Sequence, residues 1–167
     1  VCDFDSSRRD HVTGLYPGTQ ATRDFEELLA SDIDAVAIAT PVSTHHSLAM
    51  AALRAGKHVL VEKPLAASMS DALDIAEAAD RLHLAAMVGH TFQYNPAVNV
   101  VRDLVQSGEL GEIYNINATR ASLGLLQPDV NVVWDLAPHD VSILLHILGS
   151  DPLQVSACGQ AFIQRRK

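Results

Sequence analysis

Short apolar runs alternate with helical patterns along the first half of the chain. Runs of strand length cover residues 35–40, 58–63 and 85–90, and a proline follows each of the first two. Apolar runs without polar alternation are typical of parallel strands buried on both faces. The intervening segments, 43–55 and 70–82, carry apolar residues at helical spacing. This rhythm predicts right-handed crossovers and a parallel α/β sheet.

The residues before the first run predict that this alternation is already under way. Residues 1–5 suit the end of a strand followed by a loop, and residues 6–11 suit a short helix. Asp24 or Thr22 can cap a second helix over 25–29. Because the chain opens inside an element, we expect sequence to be missing upstream. We therefore expect an incomplete, doubly wound parallel sheet.

The pattern changes after residue 96. Apolar spacing predicts a helix over 97–106 and a strongly apolar helix over 134–148. Apolar and polar residues alternate over 113–120, which predicts a strand with one wet face, and 153–158 begins another strand. Two strands with one or two helices predict the start of an α+β domain.

Composition narrows the class of protein. The 167 residues are 48% hydrophobic and 19% charged, which is ordinary for a globular chain. No apolar run reaches about 18 residues and no basic leader opens the chain, so we expect neither a membrane span nor a signal peptide. Two cysteines, Cys2 and Cys158, fit a reducing cytoplasm. A net charge of −8 disfavours nucleic acid as a partner.

Lys63 is the first candidate for chemistry. It follows the run at 58–61, and Pro64 directly after it cannot donate to a sheet ladder and favours an extended residue before it. Lys63 is therefore expected at the carboxyl edge of the sheet, where open α/β sheets bind ligands. The alternative is a solvated lysine at the end of a strand.

Asp135 and His139 form the second candidate. They are four residues apart, so on a helix they share one face. A carboxylate beside an imidazole orients the ring and supports a general base. Pro138 is tolerated in a first helical turn, which predicts that the helix begins near Ala137. The alternative is a capping aspartate and a surface histidine.

A zinc site built from Asp135, His139, His45 and His46 is a weaker interpretation. The two adjacent histidines would point to different faces of a helix, and no cysteine or glutamate has ligand spacing with them. We therefore predict no metal.

Asp3 is the remaining candidate. In a dinucleotide-binding domain an acidic residue after the second strand binds the adenosine ribose hydroxyls and favours NAD over NADP. Aspartate after a strand is also a common turn former. Arg8 and Arg9 follow closely and would suit a 2′-phosphate, so NADP stays possible.

These clusters together resemble the Gfo/Idh/MocA family of NAD(P)-dependent oxidoreductases. The resemblance runs in family order through nearly the whole chain. The matching segments are Ala39-Thr40-Pro41 with His45, residues 55–64 (AGKHVLVEKP), Asn95-Pro96, residues 108–113 (GELGEI) and the Asp135/His139 pair. The resemblance implies a partial Rossmann domain over 1–93. It also implies, over 94–167, part of a substrate and oligomerisation domain with an open-faced, mostly antiparallel sheet.

The resemblance also implies roles for single residues. Lys63 would be the catalytic lysine near the nicotinamide, His139 the general base, and Asp135 would orient substrate and base. The implied cofactor contacts are Asp3, Thr40, Pro41, His45, Glu62, Lys63 and Gln93. The 167 residues contain no glycine-rich turn of the kind that binds the pyrophosphate in the family. The glycine pair that many members carry before the catalytic aspartate is replaced by Asn131-Val132-Val133-Trp134.

The implied activity is interconversion of a secondary alcohol and a ketone. The expected substrate is a small polyol or sugar: a sugar, an inositol or a nucleotide-sugar. The expected protein is cytoplasmic and homo-oligomeric. Two alternatives stay open: an NAD-assisted glycosidase or lyase with the same fold, and a non-catalytic sensor that binds the dinucleotide. A piece with part of each domain is expected to bind cofactor poorly on its own.

Overall fold

The computed structural model describes residues 1–121 and 130–160. Within these ranges the chain forms six α-helices, three strands and one 3₁₀ helix. In chain order they are α1 (Ser6–Leu15), α2 (Phe25–Ala30), β1 (Ala35–Ile38), α3 (Val42–Arg54), β2 (His58–Val61), α4 (Met69–Leu82), β3 (Ala86–Val88), the 3₁₀ helix (Thr91–Tyr94), α5 (Pro96–Gln106) and α6 (Val132–Leu148).

The predicted parallel sheet is confirmed. Its strands lie in the order β1-β2-β3, and all pairs are parallel; Ala35 pairs with His58, and Val59 pairs with Ala86. Upstream, Cys2 and Thr22 form an isolated parallel bridge. The carboxyl ends of all three strands therefore lie at one edge, as the sequence predicted for Lys63.

The prediction that both sheet faces are buried is wrong for the described residues. In β1 and β2 the inward residues alternate with exposed ones, and Leu60 on the outer face is 41% exposed. The reason is topological: successive right-handed crossovers in one direction place α3 and α4 on the same face. The core lies on that face and includes Val36, Ile38, Val61, Leu53 and Ile75.

Side-chain caps set several helix starts. The Asp24 carboxylate accepts a hydrogen bond from the Glu26 amide at 2.9 Å, as predicted, and begins α2. Helix α4 begins earlier than the sequence predicted, because the Ser68 hydroxyl accepts from the Asp71 amide at 3.2 Å. Helix α1 extends to Leu15 rather than ending near residue 11.

The predicted start of the last helix is also wrong. Helix α6 begins at Val132, where the Asn131 side chain accepts hydrogen bonds from the Val133 and Trp134 amides at 3.0 and 3.1 Å. Pro138 consequently lies inside the helix rather than in its first turn. A capped first turn upstream outweighs the preference of proline for position N1.

The two strands predicted in the second half do not form in the described residues. Residues 112–121 and 151–158 carry no ladder hydrogen bonds, and Tyr114 and Val155 are largely exposed. A strand is stabilised by a paired neighbour, and alternation in one segment supplies no partner. What the second half does form is a helical unit: α5 packs against α6, and both contact the 3₁₀ helix.

None of the helices in these two ranges is both long and apolar enough to cross a membrane.

Candidate active site

Lys63 and Asp135 meet although they are far apart in sequence. Strand β2 ends at Val61, and Lys63 follows two residues later, before a cis peptide bond to Pro64. Its ammonium Nζ donates to the backbone oxygen of Asp135 at 2.7 Å and to the carboxylate Oδ1 at 3.1 Å. Both side chains are about one-fifth exposed, 19% and 22%. The lysine is therefore not the solvated strand-end residue of the alternative interpretation.

Helix α6 presents Asp135 to the lysine from its first turn. Pro138 lies inside the same helix and has no N–H, so the carbonyl of Trp134 lacks its usual donor. The carbonyl of Asp135, the next residue, accepts from Lys63. Asp135 therefore meets the lysine through both its backbone and its side chain.

His139 lies one turn after Asp135 in α6, in a partly buried position. Its Nδ1 is buried and has no hydrogen-bond partner among the described residues. The ring packs edge-on against Phe92, with centroids 5.0 Å apart and planes at 78°. Burial lowers the pKa of His139, and the positive charge of Lys63 lowers it further. The imidazole is therefore held neutral at pH 7, in the form that can accept a proton.

A pocket of about 200 Å³ lies at the carboxyl edge of the sheet. It brings together six of the residues singled out in the sequence: Thr40, Pro41, His45, Glu62, Lys63 and Asp135. These side chains come from the ends of β1 and β2, from α3 and from α6. The pocket thus joins the sheet edge to the helical second half.

His45 lines this pocket but is 1% exposed. One ring nitrogen lies 2.9 Å from the carbonyl oxygen of Pro64, and the other lies 2.8 Å from that of Thr40. The imidazole thereby ties the loop after β1 to the loop after β2. His45 therefore links the loops that carry Thr40 and Lys63, and its predicted contact with a cofactor stays a prediction.

Glu62 lies against Gly89, a residue that the sequence did not single out. The Glu62 carboxylate accepts from the Lys63 amide at 3.1 Å. A Cβ added to Gly89, which follows β3, would lie 3.2 Å from the carboxylate carbon and from both of its oxygens. Glycine at this position therefore leaves the space that the Glu62 carboxylate occupies.

Two predicted cofactor residues lie outside this pocket. The Asp3 carboxylate accepts from the Asp5 amide at 2.8 Å and lies 3.6 Å from the Arg8 guanidinium. Gln93, in the 3₁₀ helix, lines a separate apolar cleft of about 300 Å³ beside Trp134 and Pro138. The structure does not bring either residue to Lys63, and their cofactor contacts stay predictions.

Arg120 lies close enough to His139 to lower the pKa of that histidine, and the sequence patterns did not single it out. Its Nε and Nη2 donate to the two carboxylate oxygens of Asp140 at 2.9 and 2.8 Å. Its guanidinium carbon lies 5.4 Å from the centre of the Phe92 ring. The Arg120 hydrogen bonds lower the pKa of Asp140. Asp140 directly follows His139 in the sequence, and that adjacency is the one available signal.

The histidine pair does not support a zinc site. His45 is engaged with two carbonyls, whereas the Nε2 of His46 lies 3.4 Å from the Asp74 carboxylate of α4. The prediction that these neighbours point to different faces is confirmed. His46, Asp71 and Asp74 place possible ligand atoms within 4.8 Å of one another, but none of them lines the pocket.

Fold and pocket together define a parallel α/β domain with a pocket at the carboxyl edge of its sheet, and a helical unit that contributes Asp135 to that pocket. Residues 1–90 match the family described as "Oxidoreductase family, NAD-binding Rossmann fold", and residues 98–166 match the "GFO/IDH/MocA C-terminal domain". The chain belongs to the Gfo/Idh/MocA family of oxidoreductases. The predicted family and the predicted α/β Rossmann-type fold are confirmed.

Curated relatives include sugar and polyol dehydrogenases. A UDP-N-acetylglucosamine 3-dehydrogenase of Acidithiobacillus ferrooxidans is 34% identical over 82% of this chain and 43% of its own length. An inositol 2-dehydrogenase of Corynebacterium glutamicum is 31% identical over 93% of this chain and 47% of its own. The chain thus spans somewhat less than half the length of these relatives.

Solved structures agree with this assignment. An oxidoreductase domain protein from Kribbella flavida superposes with a TM-score of 0.74 at 31% identity, over 89% of this chain and 44% of its own. The WlbA dehydrogenase from Bordetella pertussis, solved with NADH and UDP-GlcNAcA, gives 0.62 at 26% identity over 68% of this chain and 33% of its own.

Proposed function

We propose that the full-length protein containing this chain is an NAD(P)-dependent dehydrogenase that interconverts a secondary alcohol and a ketone on a sugar, inositol or nucleotide-sugar. The observation that carries the proposal is the contact between Lys63 and Asp135. It joins the ligand edge of the sheet to the helix that holds His139. The curated relatives act on substrates of this class, as their names state.

The pocket fits the nicotinamide end of a dinucleotide. It lies at the carboxyl edge of a parallel sheet, where such cofactors bind. Thr40 and Pro41 form one wall, Glu62 and Lys63 the other, and Gly89 leaves room for the Glu62 carboxylate. When bound there, the cofactor supplies the hydride acceptor or donor, and the protein supplies binding and positioning.

We infer that Lys63, which lines the pocket, and His139, which lies outside its lining one turn after Asp135, divide the proton chemistry between them. The Lys63 ammonium donates hydrogen bonds to Asp135 oxygens, and we infer that a substrate hydroxyl takes one of these donor positions. His139 is held neutral by burial and by the Lys63 charge, so it can accept the hydroxyl proton. Asp135 holds the lysine ammonium in place through its backbone oxygen and its carboxylate.

Substituting Lys63→Met in the full-length protein tests this proposal. Turnover on a panel of inositols and UDP-sugars, followed through nicotinamide absorbance, is expected to fall by about 10²–10⁴-fold. NADH binding, followed by fluorescence, is expected to survive. Lys57→Met is the matched control, because the Lys57 ammonium donates to the carbonyls of Ser31 and Ile33 away from the pocket.

Unchanged turnover in Lys63→Met would remove the lysine from the mechanism. A wild-type protein that binds NADH but turns over none of the panel would instead favour the non-catalytic sensor. The presence of both Lys63 and His139 supports an enzyme, because a sensor has no need of groups for proton transfer.

A further inference from the structure

Arg120 is fixed on two sides. Its guanidinium makes a two-pronged contact with Asp140, at 2.9 and 2.8 Å, on the helix that carries His139. A paired geometry of this kind restricts the guanidinium plane far more than a single contact does. The same group lies over the face of the Phe92 ring at 5.4 Å, within the range of a cation–π interaction.

Phe92 passes this restraint on to His139. The two rings meet edge to face at 5.0 Å, which is a preferred aromatic geometry. The Nδ1 of His139 is buried without a hydrogen-bond partner in the described part of the chain. In many sites a hydrogen bond at the second ring nitrogen orients a catalytic histidine. The ring contact that the structure shows for His139 is the edge-on packing of Phe92.

We propose that Arg120 is a positioning residue for His139: clamped by Asp140, it holds Phe92 in place, and Phe92 fixes the plane of the imidazole. The inference rests on the proposed role of His139 as the proton acceptor. Arg120 lies outside helix α6. The inference therefore adds a residue from another segment of the chain to the groups that set the orientation of the His139 ring.

The charges around His139 give the inference a second readout. The groups that face it are Lys63 after β2, His90 before the 3₁₀ helix, Arg120, and Asp140 on α6, with Asp135 one turn earlier. Lys63, Arg120 and His90 lower the pKa of His139, whereas Asp140 raises it. Removing the Arg120 charge therefore raises that pKa and moves the acid limb of the pH profile to higher pH.

Steady-state kinetics of Arg120→Gln, Phe92→Leu and the double variant test the inference in the full-length protein. Each single change is expected to lower kcat roughly 10- to 100-fold with KM little changed, because a displaced base slows the chemical step. The double variant is expected to lose no more than the worse single variant, because Arg120 acts through Phe92. Multiplied losses would overturn the inference.

Arg120→Lys separates charge from geometry. Lysine keeps the positive charge but cannot make the two-pronged contact or stack on the ring. The acid limb of kcat/KM is expected to stay near that of the wild type, while kcat falls as in Arg120→Gln. Wild-type kcat in Arg120→Lys would overturn the inference. If Arg120→Gln fails to fold, Arg120→Lys and Phe92→Leu still decide it.

Two controls complete the design. Arg102→Gln removes an arginine of matching exposure, 30% against 29%, that contacts Asp103, Asn99 and His146 rather than Phe92; both kcat and the pH profile are expected to stay unchanged. His139→Asn is expected to lower turnover sharply and to remove the acid limb from the pH profile of the turnover that remains. If it leaves turnover intact, the proposed base and this inference fall together. If it abolishes turnover while Arg120→Gln does not lower kcat, only this inference falls.

Discussion

The two halves of the chain are stabilised in different ways. In the first half, α3 and α4 cover one face of the sheet and bury residues such as Val61, Leu53 and Ile75 almost completely. In the second half, α5 and α6 pack against each other, and large apolar residues such as Val133 and Leu148 remain exposed. The first half therefore holds the pocket on a packed core, whereas the second contributes Asp135 and His139 from a less buried helix.

This difference shows why one lysine contact matters so much. Lys63 joins the packed sheet edge to helix α6 through two hydrogen bonds. Charge-assisted hydrogen bonds of this kind are stronger than neutral ones. We infer that the packed sheet fixes the position of Lys63, and that Lys63 in turn holds helix α6 at the pocket.

Core truncation should affect the first half most. Ile75→Ala removes a side chain that is 0% exposed in α4 and is expected to cost about 2–5 kcal/mol of unfolding free energy. Leu73→Ala, on the same helix but 53% exposed, should change it by less than about 0.5 kcal/mol. Urea unfolding of the full-length protein measures both. Equal losses would contradict the assignment of the core to this face.

Breaking the His45 tie should weaken both stability and the site. His45→Ala removes the ring N–H that can donate to the carbonyl of Thr40 or of Pro64, and it empties a position that is 1% exposed, which is expected to cost about 1–3 kcal/mol. NADH affinity should fall as well, because the two loops lose their fixed spacing. His11→Ala, on the exposed surface of α1, is the control. Unchanged stability in His45→Ala would remove the tie from the account.

Crowding Glu62 should weaken cofactor binding more than stability. Gly89→Ala puts a methyl group 3.2 Å from the Glu62 carboxylate and should displace it, so that NADH binds severalfold more weakly in a fluorescence titration. Gly14→Ala, whose new methyl meets nothing within 4 Å in helix α1, should leave binding intact. Unaltered NADH affinity in Gly89→Ala would place the cofactor away from Glu62.

The smallest expected effect is the pH dependence of the Arg120–Asp140 pair. The pKa of Asp140 is lowered in the folded state, chiefly by the Arg120 hydrogen bond. Its stabilisation is therefore fully present above the unfolded pKa of about 3.9 and is lost as pH falls through the lower folded value. Both groups are nearly one-third exposed, so Arg120→Gln should cost under about 1 kcal/mol at pH 7.

Urea unfolding at pH 7 and near pH 3 checks this prediction. The difference between the wild type and Arg120→Gln should shrink toward the lower pH, as the Asp140 carboxylate gains its proton. A difference that grows on acidification would contradict the sign of the shift.

Local patterns predicted the first half well. The three apolar runs became β1, β2 and β3 because each is short and bounded by proline or by a helix, and their parallel order follows from crossover handedness. The alternation at 113–120 and 153–158 did not produce strands, because pairing depends on segments distant in sequence. Pro138 suggested a start for α6 that is too late, whereas Asn131 is a favourable capping residue and does cap the helix where it begins.

The site was predictable only in part, for a related reason. Strand ends and the i,i+4 rule predicted the pocket edge and a shared helix face for Asp135 and His139. They held no information on the approach of Arg120 to Asp140, 20 residues away, or on the ring contact between Phe92 and His139. Such contacts depend on how the helical unit packs, which no local spacing encodes.

A double-mutant cycle on kcat/KM tests the central claim most directly. Lys63→Met, Asp135→Asn and their combination are compared in the full-length protein with NAD and its best substrate. Residues in direct contact are expected to couple by about 0.5–3 kcal/mol, so the double variant should be less impaired than the product of the single losses by about 2- to 150-fold. Losses that simply multiply would contradict the account, because Lys63 and Asp135 would then act independently.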